Sequence, residues 1–230
     1  MKFRVLYISI LTILALLVML FGCDNFTTSK ISEGTIEYAV SYPPGKKDNF
    51  MTSMLPAIIK YNFKNNEASV DLEISMGIVS TSLIANLNKK QVTQTLSVMG
   101  KKFAVILDTN GVKKMLEKEP KINITFINES KKIAGYNCMK AHVDFEVDSL
   151  QDFDIFYTKD INIQDPNWSS PFKDIKGVLM EFRIQKYGVD MILTAKNVIK
   201  REIEDGHFEL SPDYKMISIE EMDKMFTDMN

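Results

Sequence analysis

The chain has 230 residues, 45% of them hydrophobic and 25% charged, with 28 basic residues against 30 acidic ones. That length supports one domain with a sizeable apolar core, and a net charge of −2 excludes the dense basic footprint that nucleic acid requires. Lysine pairs such as Lys89-Lys90 and Lys131-Lys132 read as solvated turns and edge protection.

At the amino terminus, Lys2 and Arg4 precede an uncharged run of 17 residues, Val5 to Phe21. The run falls short of the roughly 20 residues that a membrane-spanning helix needs and reads as a secretory signal. Leu20-Phe21-Gly22-Cys23 resembles the lipobox of bacterial lipoproteins. It has an aliphatic residue, a small residue next to the scissile bond, and a cysteine whose thiol carries diacylglycerol. Phe21 departs from the small or β-branched residue usual at its position. The expected organisation is a signal peptide over 1–22, a lipidated N-terminus and polar tether over 23–33, and a single β-rich domain over 34–230. A membrane, held through the N-terminal acyl chains, is then the first expected partner, each buried CH₂ contributing about 0.8 kcal/mol. An uncleaved anchor with an incidental cysteine, and ordinary secretion, are the competing readings. With Cys23 acylated, Cys138 has no partner within the chain, and no internal disulfide is expected.

Beyond the tether the patterns are those of strands. Ile36, Tyr38, Val40 and Tyr42 alternate with polar or small residues until Pro43-Pro44-Gly45. Asp48 to Leu55 reads as a short helix, and Ile59, Tyr61 and Phe63 fall on one side of a second strand ending at Asn65-Asn66. The clearest signal is Glu67 to Met76, where Ala68, Val70, Leu72, Ile74 and Met76 share one face and polar residues the other. Unbroken alternation of this kind marks a strand with one wet face, the habit of antiparallel sheet. Further strands are predicted at Ile78 to Leu87, Val92 to Met99, Phe103 to Leu107, Ile122 to Ile127, Tyr136 to Val147 and Phe153 to Thr158. Asp108 to Glu119 reads as a helix closed by Pro120. A late hairpin places Val178, Met180, Phe182 and Ile184 opposite Val189, Met191, Leu193 and Ala195. Ser218 and Glu221 form a capping box, with Ile217 and Met222 set for a hydrophobic staple. The stretch without a pattern, Lys159 to Lys176, carries Trp168 and Phe172 and is expected to be a loop ordered by those rings.

Catalytic chemistry finds little support. There is no G-x-S-x-G elbow, and His142 and His207 are the only imidazoles. Cys138 and His142 sit four residues apart on one strand, roughly 13 Å at about 3.3 Å per residue, too far for a nucleophile and its base. Strand phase puts Cys138 with Lys140, His142 and Asp144 on the polar face, as a weakly exposed structural thiol. His207, after Asp205-Gly206, reads as a surface residue in a turn. Two distant histidines and one mature thiol cannot form a Cys/His zinc site, so no metal and no cofactor is expected. Asp148-Ser149-Leu150 resembles a short envelope glycosylation motif, with a plain turn as the simpler reading.

From Glu129 onward, "KKIAGYNCMKA", "DIFYTKDI", "FKDIKGVLMEFRI" and "FELSPDYKMISIEEM" resemble a family of small bacterial envelope lipoproteins. That family is similar to the lipoprotein-carrier (LolA/LolB-like) fold, and the resemblance implies a mainly β domain. Its sheet is curved and antiparallel, or an incomplete barrel, with a few short helices and an apolar concavity. The function this implies is non-enzymatic binding of an apolar ligand, such as a lipid, an acyl chain or a lipoprotein segment. Candidate ligand contacts are Val70, Leu72, Ile74, Met76, Phe182 and Met191. The alternative is a structural lipoprotein with a filled core that binds another envelope protein. An open apolar cavity distinguishes the first from the second.

Overall fold

The alternating segments assemble into one sheet. The computed structural model describes residues 30–43, 56–74, 78–147, 150–186 and 189–228. Cys23, the helix expected at Asp48 to Leu55, Met76 and Ser149 lie outside them. The protein is mainly β: 54% of the described residues are strand and 12% helical, and they build a curved open sheet of 12 strands with two helices.

The first six strands form a meander: β1 (Glu33–Ser41), β2 (Ile58–Lys64), β3 (Glu67–Ile74), β4 (Val79–Asn86), β5 (Gln91–Val98) and β6 (Lys101–Leu107). A helix, α1 (Thr109–Leu116), leads to a second meander. It comprises β7 (Ile122–Ile133), β8 (Tyr136–Phe145), β9 (Phe153–Thr158), β10 (Val178–Lys186) and β11 (Val189–Ile199). A 3₁₀ turn (Asp205–Phe208), the short strand β12 (Lys215–Met216) and α2 (Ile219–Asp228) complete the chain. The strand order is β12-β6-β5-β4-β3-β2-β1-β11-β10-β9-β8-β7. Every pairing is antiparallel except β12 with β6.

Local chemistry explains the hairpins. Asn65 and Asn66, Met99 and Gly100, and Ala134 and Gly135 all have positive φ. Left-handed backbone at both central positions gives the tight turn whose twist matches the flanking strands. Asp108 caps α1, its Oδ1 accepting from the Gly111 N–H at 2.8 Å. In α2 the capping box is formed: Ser218 N–H donates to Glu221 Oε2 at 2.8 Å, and Glu221 N–H donates to Ser218 Oγ at 3.2 Å. Ile217 and Met222 meet in the same apolar cluster, as the staple predicts.

Sheet curvature follows from connectivity. Ten inter-strand steps separate β6 from β7, which in a flat sheet at about 4.8 Å per step is about 48 Å. The link between them, Asp108 to Lys121, has 14 residues, eight of them helical. At about 1.5 Å per helical residue and ~3.4 Å for each extended one, it reaches roughly 32 Å. The sheet must therefore curl until its edges approach, and α1 crosses the concavity.

Apolar residues pack against the sheet in three clusters. The central one holds Ile36, Tyr38, Phe63, Met180 and Leu193. A second joins β5 and β6 to both helices through Leu96, Val105, Val112 and Met222. The third packs β8 and β9 against Ile175 and Leu179. Phe63 is fully buried, so Phe63→Ala is expected to lower unfolding free energy by about 3–5 kcal/mol. Urea denaturation followed by circular dichroism checks this; a shift below about 1 kcal/mol would show that the central cluster does not hold the sheet.

Candidate functional site

Between the sheet and the segments that cross it lies a cavity of about 500 Å³. Val70 and Leu72 of β3 line it on one side; Phe182 of β10 and Met191 of β11 line it on the other. Four of the residues expected from strand phase thus line one cavity. Ile74 ends β3 opposite Val79. Tyr38 closes the wall between the two meanders: its hydroxyl donates to Leu179 O at 2.7 Å, and its ring meets Phe182 edge-on at 5.7 Å. Tyr38 and Tyr61 are both held well above the usual phenol range by desolvation.

The cavity's other boundaries come from segments whose role periodicity did not reveal. Met115, Leu116, Glu119, Pro120 and Ile122 line it from α1 and its exit. The 159–177 loop contributes Pro166, Asn167, Pro171 and Phe172. The loop is tied internally, Asn167 Nδ2 donating to Ile175 O at 2.7 Å and to Gly177 O at 2.9 Å. It enters β10 through Gly177, where a Cβ would lie 2.6 Å from Thr158 O, so no larger residue fits. Lys176 and Lys90 both pair with Asp165, and Lys90 Nζ sits 5.2 Å above the Trp168 ring. Phe172 meets Phe153 edge-on at 6.1 Å.

Polar groups in the wall are few. Gln94 in β5 interrupts a face otherwise made by the buried Val92 and Leu96. That interruption was the signal available in the sequence. Arg183 also borders the cavity. Alternation assigns it to the polar face of its strand, yet it is only 8% exposed, as is Asp190. Its Nε and Nη2 donate to the two Asp190 carboxylate oxygens at 2.7 and 2.6 Å. The fork neutralises the charge within the β10–β11 hairpin and raises the guanidinium pKa through that hydrogen bonding.

The remaining chemical groups lie elsewhere. Cys138 is not on a wet face: it is fully buried with Tyr38, Met180, Ile161 and Ile163, because the start of the loop covers that end of β8. Burial pushes its thiol up to about 11, which leaves it inert as a nucleophile. His207 Nε2 lies 2.9 Å from Ser69 Oγ and 3.6 Å from Asp71 Oδ2. Serine and carboxylate thus crowd the same nitrogen, whereas a catalytic triad puts them on opposite ones. His142 Nδ1 is 2.7 Å from Asp154 Oδ1, a hydrogen bond that raises the imidazole above its ordinary pKa. With Asp144 and Asp152 it brings ligand-type atoms within 4.8 Å of one another on the surface. That grouping escaped sequence reasoning because Asp152 reaches it from the following connection.

No helix among the described residues is long and apolar enough to cross a membrane. No protein-family model and no curated protein matches the chain in sequence.

Trp168 packs against both the central cluster and the helix-bearing one, with its indole Nε1 buried and without a hydrogen-bond partner. As the only tryptophan, it reports on the loop alone. Native emission is expected well to the blue of free indole, with acrylamide quenching several-fold weaker than after unfolding. Equal quenching in both states would contradict an ordered loop.

Proposed function

We propose that this protein is a non-enzymatic, membrane-tethered lipoprotein that holds an apolar ligand in the concavity of its sheet. The cavity of about 500 Å³ carries this reading. Its volume lies within the roughly 300–1,000 Å³ typical of small-molecule sites. Its wall is mainly aliphatic and aromatic, and sheet, helix and loop all contribute to it. A solidly filled interior would have favoured the alternative of a lipoprotein that binds only through its outer surface.

Two further observations support the reading. The curved antiparallel sheet with a crossing helix is the architecture that the lipoprotein-carrier resemblance implies. The lipobox-like Leu20-Phe21-Gly22-Cys23 supplies a tether, and acyl chains on Cys23 would keep the concavity near a membrane. The ligand class is then a lipid, an acyl chain or the acylated end of another protein.

Both parts are testable. Cys23→Ser is expected to abolish both cleavage after Gly22 and incorporation of labelled palmitate, leaving a precursor that keeps its apolar run. Unchanged processing, or palmitate labelling that does not need Cys23, would remove the tether. A soluble chain starting at Asn25 should bind the neutral dye N-phenylnaphthylamine saturably, with micromolar affinity given about 25 cal/mol for each Å² of apolar surface buried. Leu72→Asp and Met191→Asp, confirmed as folded by circular dichroism, should each weaken binding at least about tenfold. Folded wild type with no saturable binding and no extracted lipid would overturn the ligand reading.

A further inference from the structure

Gln94 is an unusual residue for its place. It stands in β5 between Val92 and Leu96, which are 1% and 0% exposed, and opposite Leu83 of β4. It lines the cavity and is itself only partly buried. Its amide makes no hydrogen bond to any described residue, although Thr95 beside it is tied to β4 on the other face through Ser82 N–H at 3.0 Å. A neutral group with two donors and one acceptor, none of them bonded within the described protein, therefore faces a wall that is mainly apolar and whose other polar members include Asn167, Ser169, Arg183 and Gln185.

The charges around the cavity point the same way. Among the described lining residues there is no lysine and no histidine. Arg183, the one cation, is already held by both oxygens of Asp190. Gln185 Nε2 also donates to Asp190 at 3.1 Å, which fixes the amide orientation and leaves its buried Oε1 an acceptor with no donor. Glu119 contributes a further acid to the wall. A carboxylate brought into this space would lose its water and meet acceptors without gaining a free cation, an uncompensated desolvation. An ester, amide or alcohol loses much less on entry and can exchange hydrogen bonds with a primary amide.

We propose that Gln94 is the head-group contact of this cavity and that it selects a single-chain amphiphile with an uncharged polar head over the corresponding carboxylate. The inference rests on the ligand-binding reading above and adds the ligand's chemical class and the residue that reads it.

Native mass spectrometry of the full-length chain in nonionic detergent tests it, using equimolar monododecanoylglycerol and dodecanoate at pH 8. The glycerol ester adduct is expected to exceed the carboxylate adduct by at least about tenfold, a factor that one poorly compensated charge more than covers. Leu72→Asp should suppress both adducts, which assigns them to the cavity. Gln94→Leu, close in volume, should reduce the ester adduct about three- to tenfold and leave the dodecanoate adduct little changed. Gln94→Lys should reverse the preference. Equal adducts in wild type, or a carboxylate preference, would overturn the head-group assignment while leaving ligand binding intact. An ester adduct indifferent to Gln94→Leu would overturn the role of Gln94. Absence of both adducts would overturn the binding reading and this inference with it.

Discussion

The pairing of β1 with β11 joins two meanders that share no other strand pairing among the described residues. Thr35 opposes Ile199 and Ser41 opposes Ile192, with a bulge at Glu37/Tyr38. At the start of this seam the backbones nearly touch, since a Cβ on Gly34 would lie 2.4 Å from Ile199 O. Tyr38 then reaches across to Leu179 O. Val70 and Leu72 belong to one meander, Phe182 and Met191 to the other, so they face a common space only because this seam holds. A cavity made this way is a property of the whole sheet.

The concavity is partly open to solvent, and residues from both meanders, α1 and the loop line its space of about 500 Å³. The loop's hydrogen bonds from Asn167 fix its own shape. The polar economy of the wall fits the same picture. Ion pairs such as Arg183–Asp190 are completed within the protein, while Gln94 keeps its hydrogen-bonding capacity uncommitted.

Much of this was readable from residue order. Period-two alternation over Glu67 to Ile74 located a strand and its inner face, and Asn65-Asn66 marked a turn because asparagine tolerates positive φ. The capping box worked because it is entirely local. What escaped was non-local. Phase alone put Cys138 and Arg183 on a wet face, but exposure depends on what covers that face, and the covering elements come from distant sequence. The second half of β7 went unrecognised because Asn128 to Lys132 is polar and a bulge between Ile127 and Ser130 breaks the alternation. The cavity's far wall escaped for the same reason, since an irregular loop has no period by which to assign a face. The 3₁₀ turn and β12 were too short to leave a pattern.

The seam also sets an order of events for the folding chain. Ser41 and Ile192 are 151 residues apart, so the central pairing closes one of the longest loops in the molecule. Topologies dominated by such distant contacts fold slowly. Each meander can form from neighbouring hairpins, but until residues near 199 arrive β1 remains an edge strand with Ile36 and Tyr38 uncovered. An unsatisfied apolar edge of this kind readily recruits strands from other molecules. Chain synthesis halted between β1 and β11 would therefore leave the protein in its most aggregation-prone form, and the last hairpin acts as the guard that ends that exposure.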